Sequence, residues 1–302
     1  MNKTDLLIIG AGAAGISAAC AAWDAGCRSI VLTDRLDSPG GILRQCVHEG
    51  FGLAEFGAEL TGPAYADRLS ERLSCAGVLF LPGREVLALT KEKTAVLSGS
   101  GGIEQVGFKR LILASGCREK TIGSLPVAGP RPAGIFTAGQ AQEMINLCHW
   151  DLGSNIVILG SGDLGMILAR RFTLEGKRVV SLVEQNKRYG GMARNYRRCI
   201  EAYQIPIRYR RTIRELHGMP RLTGVTVENL ESGEREKLPC DTLVTAIGLI
   251  PERELIRGLE KEEWLSLAGN CKKVHDLADS AAAEGAALGR QIGEQLAKGN
   301  TA

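Results

Sequence analysis

A chain of 302 residues that is 44% hydrophobic and 24% charged has enough apolar material for two cored domains, which excludes a disordered chain. The net charge of +3 is small and scattered, so nothing argues for a nucleic-acid partner; the densest basic stretch, RNYRRC at 194–199, reads as a solvated helix face. Nine cysteines without one C-x-x-C pair point to free thiols in a reducing, cytoplasmic setting, and no apolar run approaches the ~18 residues of a membrane span. The four histidines have no metal-ligand spacing, so no metal site is expected.

The opening MNKTDLLIIGAG reads as a first strand rather than a signal peptide. Residues 5–26, DLLIIGAGAAGISAACAAWDAG, predict that strand, a tight turn and an alanine-rich helix. Gly10, Gly12 and Gly15 spell G-x-G-x-x-G. The first glycine permits the turn, the second lets backbone approach a pyrophosphate, and the third lets helix and strand pack closely. Ala13 and Ala14 open the helix, whose free N–H groups suit an anion. SIVLTD then forms a second strand ending at Asp34, nineteen residues past Gly15, where a carboxylate can accept both ribose hydroxyls; Arg35 follows it.

Next comes GGILRQCVHEGFG, residues 40–52, in which Gly41, Arg44 and Gln45 are candidate cofactor contacts. Cys46 and His48 admit two readings: a redox thiol tuned by the imidazole, or a small apolar residue packing beside a polar one. The apolar strand RLILASG (110–116) ends in Ala114, Ser115 and Gly116, which would return the chain beside the first glycine turn.

At 155–184, NIVILGSGDLGMILARRFTLEGKRVVSLVE repeats the first unit. Gly160, Gly162 and Gly165 carry the motif, with Asp163 and Leu164 inside it, and Glu184 again falls nineteen residues past the last glycine. The offset of 150 residues holds without gaps: Gly40, Gly41 and Arg44 match Gly190, Gly191 and Arg194. Glu184 favours NAD(H) over NADP(H), because a carboxylate repels a 2′-phosphate, although Lys187 and Arg188 follow closely. The charge of Asp163 leaves open a second site that takes another adenine nucleotide or none. TLVTAIG (242–248), ending in Gly248, mirrors RLILASG. Finally WLSLAGNCKKVHDLADSAAAEGAALGRQIGEQLA (264–297) predicts a strand, a turn at Gly269 and Asn270, and a helix capped by Asp276, with His275 as an alternative acid–base group.

This ordered set resembles the pyridine nucleotide–disulfide oxidoreductase superfamily, the flavoproteins with two dinucleotide-binding domains, over essentially the whole chain. The length is similar to that of the compact bacterial thioredoxin reductases. The resemblance implies an α/β fold of two Rossmann-like three-layer FAD/NAD(P)-binding domains. Residues 1–120 and 240–302 would form a discontinuous FAD-binding domain and 121–239 an inserted NAD(P)-binding domain. It further implies that Gly10, Gly12, Ala13, Ala14, Gly15, Asp34, Arg35, Gly41, Arg44, Gln45, Ala114, Ser115, Gly116, Gly269 and Asn270 hold FAD. Gly160, Gly162, Asp163, Leu164, Gly165, Glu184 and Gly248 would hold NAD(H). ASGCREKTIGSLPVAGPRPAGIFTAGQAQEMIN (114–146) resembles the flavin subunits of multi-component dehydrogenases, of the opine and sarcosine oxidase type, hydrogen cyanide synthase, and flavoproteins associated with glycerol-3-phosphate dehydrogenase.

Three departures matter. The stretch TAGQAQEMINLCHWDLG, where thioredoxin reductases carry C-x-x-C, has Cys148 alone. Leu43 and His48 stand where glutathione-reductase-like enzymes place two cysteines, and Gly269-Asn270 replaces the family's Gly-Asp. The expected function is therefore FAD-dependent oxidoreduction between NAD(H) and a partner subunit of a dehydrogenase complex, with homo-oligomers also compatible. The alternatives are a stand-alone NADH-dependent reductase or oxidase using Cys46, and a non-catalytic nucleotide-binding assembly module.

Overall fold

The computed structural model describes residues 2–299. It divides into two compact units, one running to Arg118 and resuming at Ile250, the other Glu119–Leu249.

In the first unit β1 (Asn2–Ile9), α1 (Ala13–Asp24) and β2 (Ile30–Thr33) form the β–α–β run expected of the first glycine motif. Helix α2 (Gly62–Cys75) leads to β3 (Leu79–Leu81), and a hairpin of β4 (Glu85–Leu89) and β5 (Thr94–Gly99) leads to β6 (Gly102–Leu113). The parallel order is β3-β2-β1-β6, with the strand Leu265–Leu267 beyond β6; β5 pairs antiparallel with the first half of β6. Leu6, Ile8 and Ile112 pack on one face with residues of α1 and α2, and Leu7, Ile9, Leu111 and Leu113 pack on the other with Phe108 and Trp264. Burial of both faces explains why these strands read as continuous apolar runs rather than alternating ones.

The last helix, Ala278–Gly299, lies along α1 at a distance only glycine allows. A Cβ would sit 2.1 Å from the Ala14 carbonyl oxygen at Gly285, 2.1 Å from that of Ala18 at Gly289, and 2.7 Å from that of Ala22 at Gly293. Glycines four apart on one helix thus meet alanines four apart on the other, one contact per turn.

The second unit contains β7 (Ile135–Thr137), α3 (Ala138–Asn146), β8 (Asn155–Leu159), α4 (Asp163–Leu174), β9 (Arg178–Val183) and β10 (Ile207–Arg208). An antiparallel sheet of β11 (Arg211–His217), β12 (Gly224–Asn229) and β13 (Arg235–Pro239) follows, then β14 (Thr242–Thr245). The parallel order is β7-β14-β8-β9-β10. Ile156, Ile158, Leu182 and Val244 pack on one face with α3 and α4; Val157, Leu159, Val183 and Leu243 pack on the other against Ile213, Val225 and Val227.

The unit boundaries differ from those read in the sequence. Residues 240–249, assigned there to the first domain, belong to the second unit, because β14 is an interior strand pairing Leu243 with Val157 on one side and with Ile135 on the other. Glu119 and Lys120 also belong to the second unit: both Glu119 carboxylate oxygens accept from the Gly139 N–H, at 2.8 Å, in the first turn of α3. No described helix is long and apolar enough to cross a membrane.

Candidate nucleotide sites

In each unit the chain leaves the first strand of the glycine motif to one side and returns on the other, so a crevice opens at the carboxyl ends of those strands. In the first unit Gly10 bends there at φ +103°, and a Cβ on it would lie 2.3 Å from the Ala114 oxygen. A Cβ on Gly15 would lie 1.8 Å from the Gly10 oxygen. Gly12 is different: a Cβ there meets nothing within 4 Å, and no side chain caps α1, so its first N–H groups face open space. Ala13 and Ala14 form the first turn of α1, and Gly269, at φ +68°, lies close enough that its Cβ would be 2.7 Å from the Ala14 methyl. Asp34 accepts from the Ala11 N–H at 2.6 Å and the Leu36 N–H at 2.8 Å, leaving about two of its four acceptor positions. The Gly40 N–H donates to the Ala11 oxygen at 2.7 Å, which seats the 40–45 turn on the glycine loop and brings Gly41 beside Gly12. Ala114 donates to the Ile9 oxygen at 2.7 Å, the Ser115 hydroxyl to the Glu252 oxygen at 2.8 Å, and Gly116 adopts φ +77° with open space around it. These residues make an anion-accepting helix end beside a part-free carboxylate, which fits the ADP half of FAD.

Five sequence candidates are placed otherwise. The Arg44 guanidinium donates to the Pro39 oxygen and to Ser70, and pairs with Asp67, so it anchors the turn to α2 rather than reaching for a ligand. Cys46 is only 9% exposed, donates to the Ile42 oxygen at 3.2 Å, and is pushed up to about 12 by burial. Such a thiol stays protonated in the neutral range, whereas the redox role needs a thiolate. His48 is partly exposed and stacks on Phe51 with ring centroids 5.0 Å apart. Arg35 is exposed, and Gln45 is buried. Alkylation of the native protein near neutral pH should mark the exposed Cys75 and Cys148 and spare Cys46, as read by mass spectrometry; early labelling of Cys46 would restore the redox reading.

Two carboxylates that sequence reasoning missed organise this unit. Asp279, buried in the first turn of the last helix, accepts from the N–H groups of Gly52, Ala54 and Glu55 at 3.0, 3.1 and 3.3 Å. It ties the end of the GGILRQCVHEGFG loop to that helix. Asp276, expected to cap the helix, lies two residues before its first residue. Glu284 accepts from the Gly269 N–H and from Lys272, both at 2.8 Å, and from His275 at 3.2 Å, while the Asn270 side chain accepts the His275 N–H at 2.9 Å. Burial alone would raise the Glu284 carboxyl; the bonds from Lys272, Gly269 and His275 outweigh it and hold the group below the usual carboxylate range. Because its folded-state pKa is the lower one, this bond set stabilises the fold above the ordinary glutamate range and is lost as pH falls through the folded value. Thermal midpoints taken from about pH 6 to about pH 3 should therefore fall less steeply for Glu284→Gln than for the unmutated chain; parallel acid limbs would contradict this.

The second site repeats the first bond for bond. Gly160 N–H donates to the Val183 oxygen as Gly10 does to Thr33, both at 2.8 Å, and Ala246 donates to Leu159 as Ala114 does to Ile9, both at 2.7 Å. A Cβ on Gly160 or Gly165 would strike the Ala246 or the Gly160 oxygen at 2.2 and 2.5 Å, while Gly162 again meets nothing within 4 Å. Asp163, the first residue of α4, accepts through Oδ1 from the Met192 N–H at 2.8 Å and from the Asn195 amide at 2.6 Å, so that oxygen belongs to the 190–195 turn. Leu164 is half-buried in the same helical turn, and Gly248 adopts φ +110° beside Lys120. Glu184 departs from its counterpart. It is buried and accepts four bonds: from the Ser161 N–H and hydroxyl at 3.0 and 2.6 Å, and from the Asn186 N–H and side-chain amide, both at 2.8 Å. The glycine loop and helix end fit a pyrophosphate, while both oxygens of the Glu184 carboxylate are held by Ser161 and Asn186. Among the described residues no group of three or more His, Cys, Asp or Glu is placed to hold a metal ion.

Comparison with known proteins agrees with this architecture. The chain is 23% identical over 266 residues to thioredoxin reductase of Treponema pallidum, covering 85% of this chain and 80% of that one. It is 28% identical over 289 residues to hydrogen cyanide synthase subunit HcnB of Pseudomonas aeruginosa, covering 86% of this chain and 60% of that subunit. The crystal structure of Lactococcus lactis thioredoxin reductase superposes with a TM-score of 0.79 over 98% of this chain and 99% of that one, at 17% identity, a likeness of fold. The family model for pyridine nucleotide-disulphide oxidoreductases matches residues 4–269, and the chain belongs to that family of flavin-dependent oxidoreductases.

Proposed function

We propose that this enzyme is the flavin-bearing component of a multi-part dehydrogenase, taking FAD in the first unit and a nicotinamide dinucleotide in the second, and exchanging electrons with a partner subunit. One observation carries the reading: two glycine-loop sites are built to the same plan, yet no dithiol accompanies them. Cys148 stands alone before the second motif, Leu43 and His48 fill the other dithiol positions, and Cys46 is a buried, protonated thiol. Disulfide exchange by the family's usual route therefore lacks its sulfur relay.

Bound FAD would supply the two-electron redox chemistry. The chain's own contribution is positional. The open end of α1 at Gly12 holds the pyrophosphate, Asp34 accepts the ribose hydroxyls through its remaining lone pairs, and Ala114–Gly116 and Gly269 close the walls of the crevice. The partner-subunit reading is supported by the relative named as a hydrogen cyanide synthase subunit. Nine free cysteines suit a reducing, cytoplasmic compartment. The purified chain, loaded with FAD and kept anaerobic, should be bleached by a nicotinamide nucleotide without sustained turnover of a small aromatic disulfide. Rapid disulfide turnover by the chain alone would overturn the proposal.

A further inference from the structure

Building on the reading that the second unit holds a nicotinamide dinucleotide, we infer that Lys120 binds the phosphate on the nicotinamide side of that dinucleotide. The residue stands outside both glycine motifs, and its place follows from the way each crevice is closed. RLILASG ends at Gly116 and TLVTAIG at Gly248, with φ of +77° and +110°. In the first unit the Gly116 oxygen accepts from the Glu252 N–H at 3.1 Å; in the second the Gly248 oxygen accepts from the Lys120 N–H at 2.9 Å. The backbone arrangement is the same and the side-chain charge is opposite. Glu252 is neutralised by Arg118 at 3.1 Å, whereas Lys120 is exposed and forms no ion pair among the described residues.

The lysine side chain lies along Gly248. A Cβ on that glycine would have Cδ, Cε and Nζ of Lys120 as its three nearest neighbours, at 3.8, 4.0 and 4.0 Å. The ammonium group therefore stands at the wall of the second crevice. Strand β8, which leads into the glycine loop, has β9 on one side and β14 on the other. In a doubly wound fold the adenosine lies toward the strand that ends in the acid, here β9 with Glu184. The remainder of a dinucleotide leaves the glycine loop in the other direction, past the end of β14, where Ala246 and Gly248 follow. Lys120 waits on that side.

The second site also needs a cation more than the first does. The first turn of α1 contains no acidic residue, but α4 begins with Asp163. The bonds from the Met192 N–H and the Asn195 amide hold that carboxylate at the helix end. Its charge opposes a phosphate arriving at the same N–H groups. Lys120, on the β14 side, supplies a positive charge that offsets it, and a lysine ammonium is a compact point charge suited to a phosphate oxygen. The two sites thus differ in a matched way: the one with an acid in its helix turn has a free lysine on its wall, and the one without has a neutralised glutamate.

The probes are ADP-ribose, which carries both phosphates, and 5′-AMP, which carries only the one on the adenosine side. Each is titrated calorimetrically at low ionic strength into the FAD-loaded chain, so the readout is independent of turnover. Lys120→Met should weaken ADP-ribose binding by at least about tenfold and leave 5′-AMP binding and flavin content unchanged. Lys120→Arg, which keeps the charge, should hold ADP-ribose within about threefold of the unmutated chain. Unchanged ADP-ribose affinity in Lys120→Met would overturn the inference and leave the second site standing. An equal loss for both probes, or a loss in Lys120→Arg as large as in Lys120→Met, would also overturn it, since neither follows from a charge on the nicotinamide-side phosphate. Failure of both probes to bind the unmutated chain would overturn the nucleotide reading of the second unit itself.

Discussion

Gly289→Leu should lower the thermal midpoint of the chain by about 6–12 °C, the result of roughly 3 kcal/mol of overpacking in a unit of this size. Even Gly289→Ala should destabilise, although alanine in a helix interior normally gains about 1 kcal/mol over glycine. The sign reverses because the new Cβ would stand 2.1 Å from the backbone oxygen of Ala18, and a carbonyl inside α1 has no rotamer in which to escape. Gly299→Ala is the control, since a Cβ there meets nothing within 4 Å. Calorimetric scans of the three variants check the set; a neutral Gly289→Ala would mean that the helices do not approach so closely.

Gly12→Asp should leave the fold intact and strip the flavin, weakening FAD binding by at least about 100-fold through a carboxylate placed at the helix end that would receive the pyrophosphate. Tolerance follows from geometry: Gly12 has φ −82°, which any residue adopts, and its Cβ would enter open space. Gly15→Val contrasts with it, because its Cβ would strike the Gly10 oxygen and misfold the turn before binding is tested. The flavin absorbance of purified protein, set against an unchanged circular dichroism melt, separates the two outcomes. A Gly12→Asp protein that retains full flavin would remove the first unit's glycine loop as the FAD site.

The features legible in the sequence are local or repeated. The spacing Gly10-Gly12-Gly15 to Asp34 lies within one β–α–β run, and its copy at 160–184 made chance a poor explanation; the structure repeats even the backbone bonds. The apolar runs at 110–113 and 242–245 were readable as strands because buried parallel strands have no polar face. The rest depends on partners distant in sequence. Asp279 reaches N–H groups of residues 52–55, more than 220 positions away, and a lone aspartate in an alanine-rich helix carries no mark of that. The alanine and glycine stripes of the two helices read as helix propensity until their faces are set together. The boundary read at 239/240 falls at 249/250 in the structure, because TLVTAIG reads as a return to the first sheet and only pairing with Val157 and Ile135 assigns it to the second. Glu184 shows the same limit. Spacing locates a carboxylate at the strand end, but whether Ser161 and Asn186 occupy its lone pairs depends on side-chain directions that spacing does not carry.

The most direct measurement of the two-site account is anaerobic flavin bleaching by nicotinamide nucleotide in the unmutated chain and in Gly162→Asp. Gly162 has an ordinary φ of −68° and open space about it, so the substitution should fold and keep its FAD. The expected result is full flavin content in both proteins, with bleaching in the unmutated chain and at least about 100-fold more nucleotide needed for the same bleaching in the variant. Equal bleaching of the two proteins, or loss of flavin from Gly162→Asp, would contradict the assignment of FAD to the first unit and the nicotinamide nucleotide to the second.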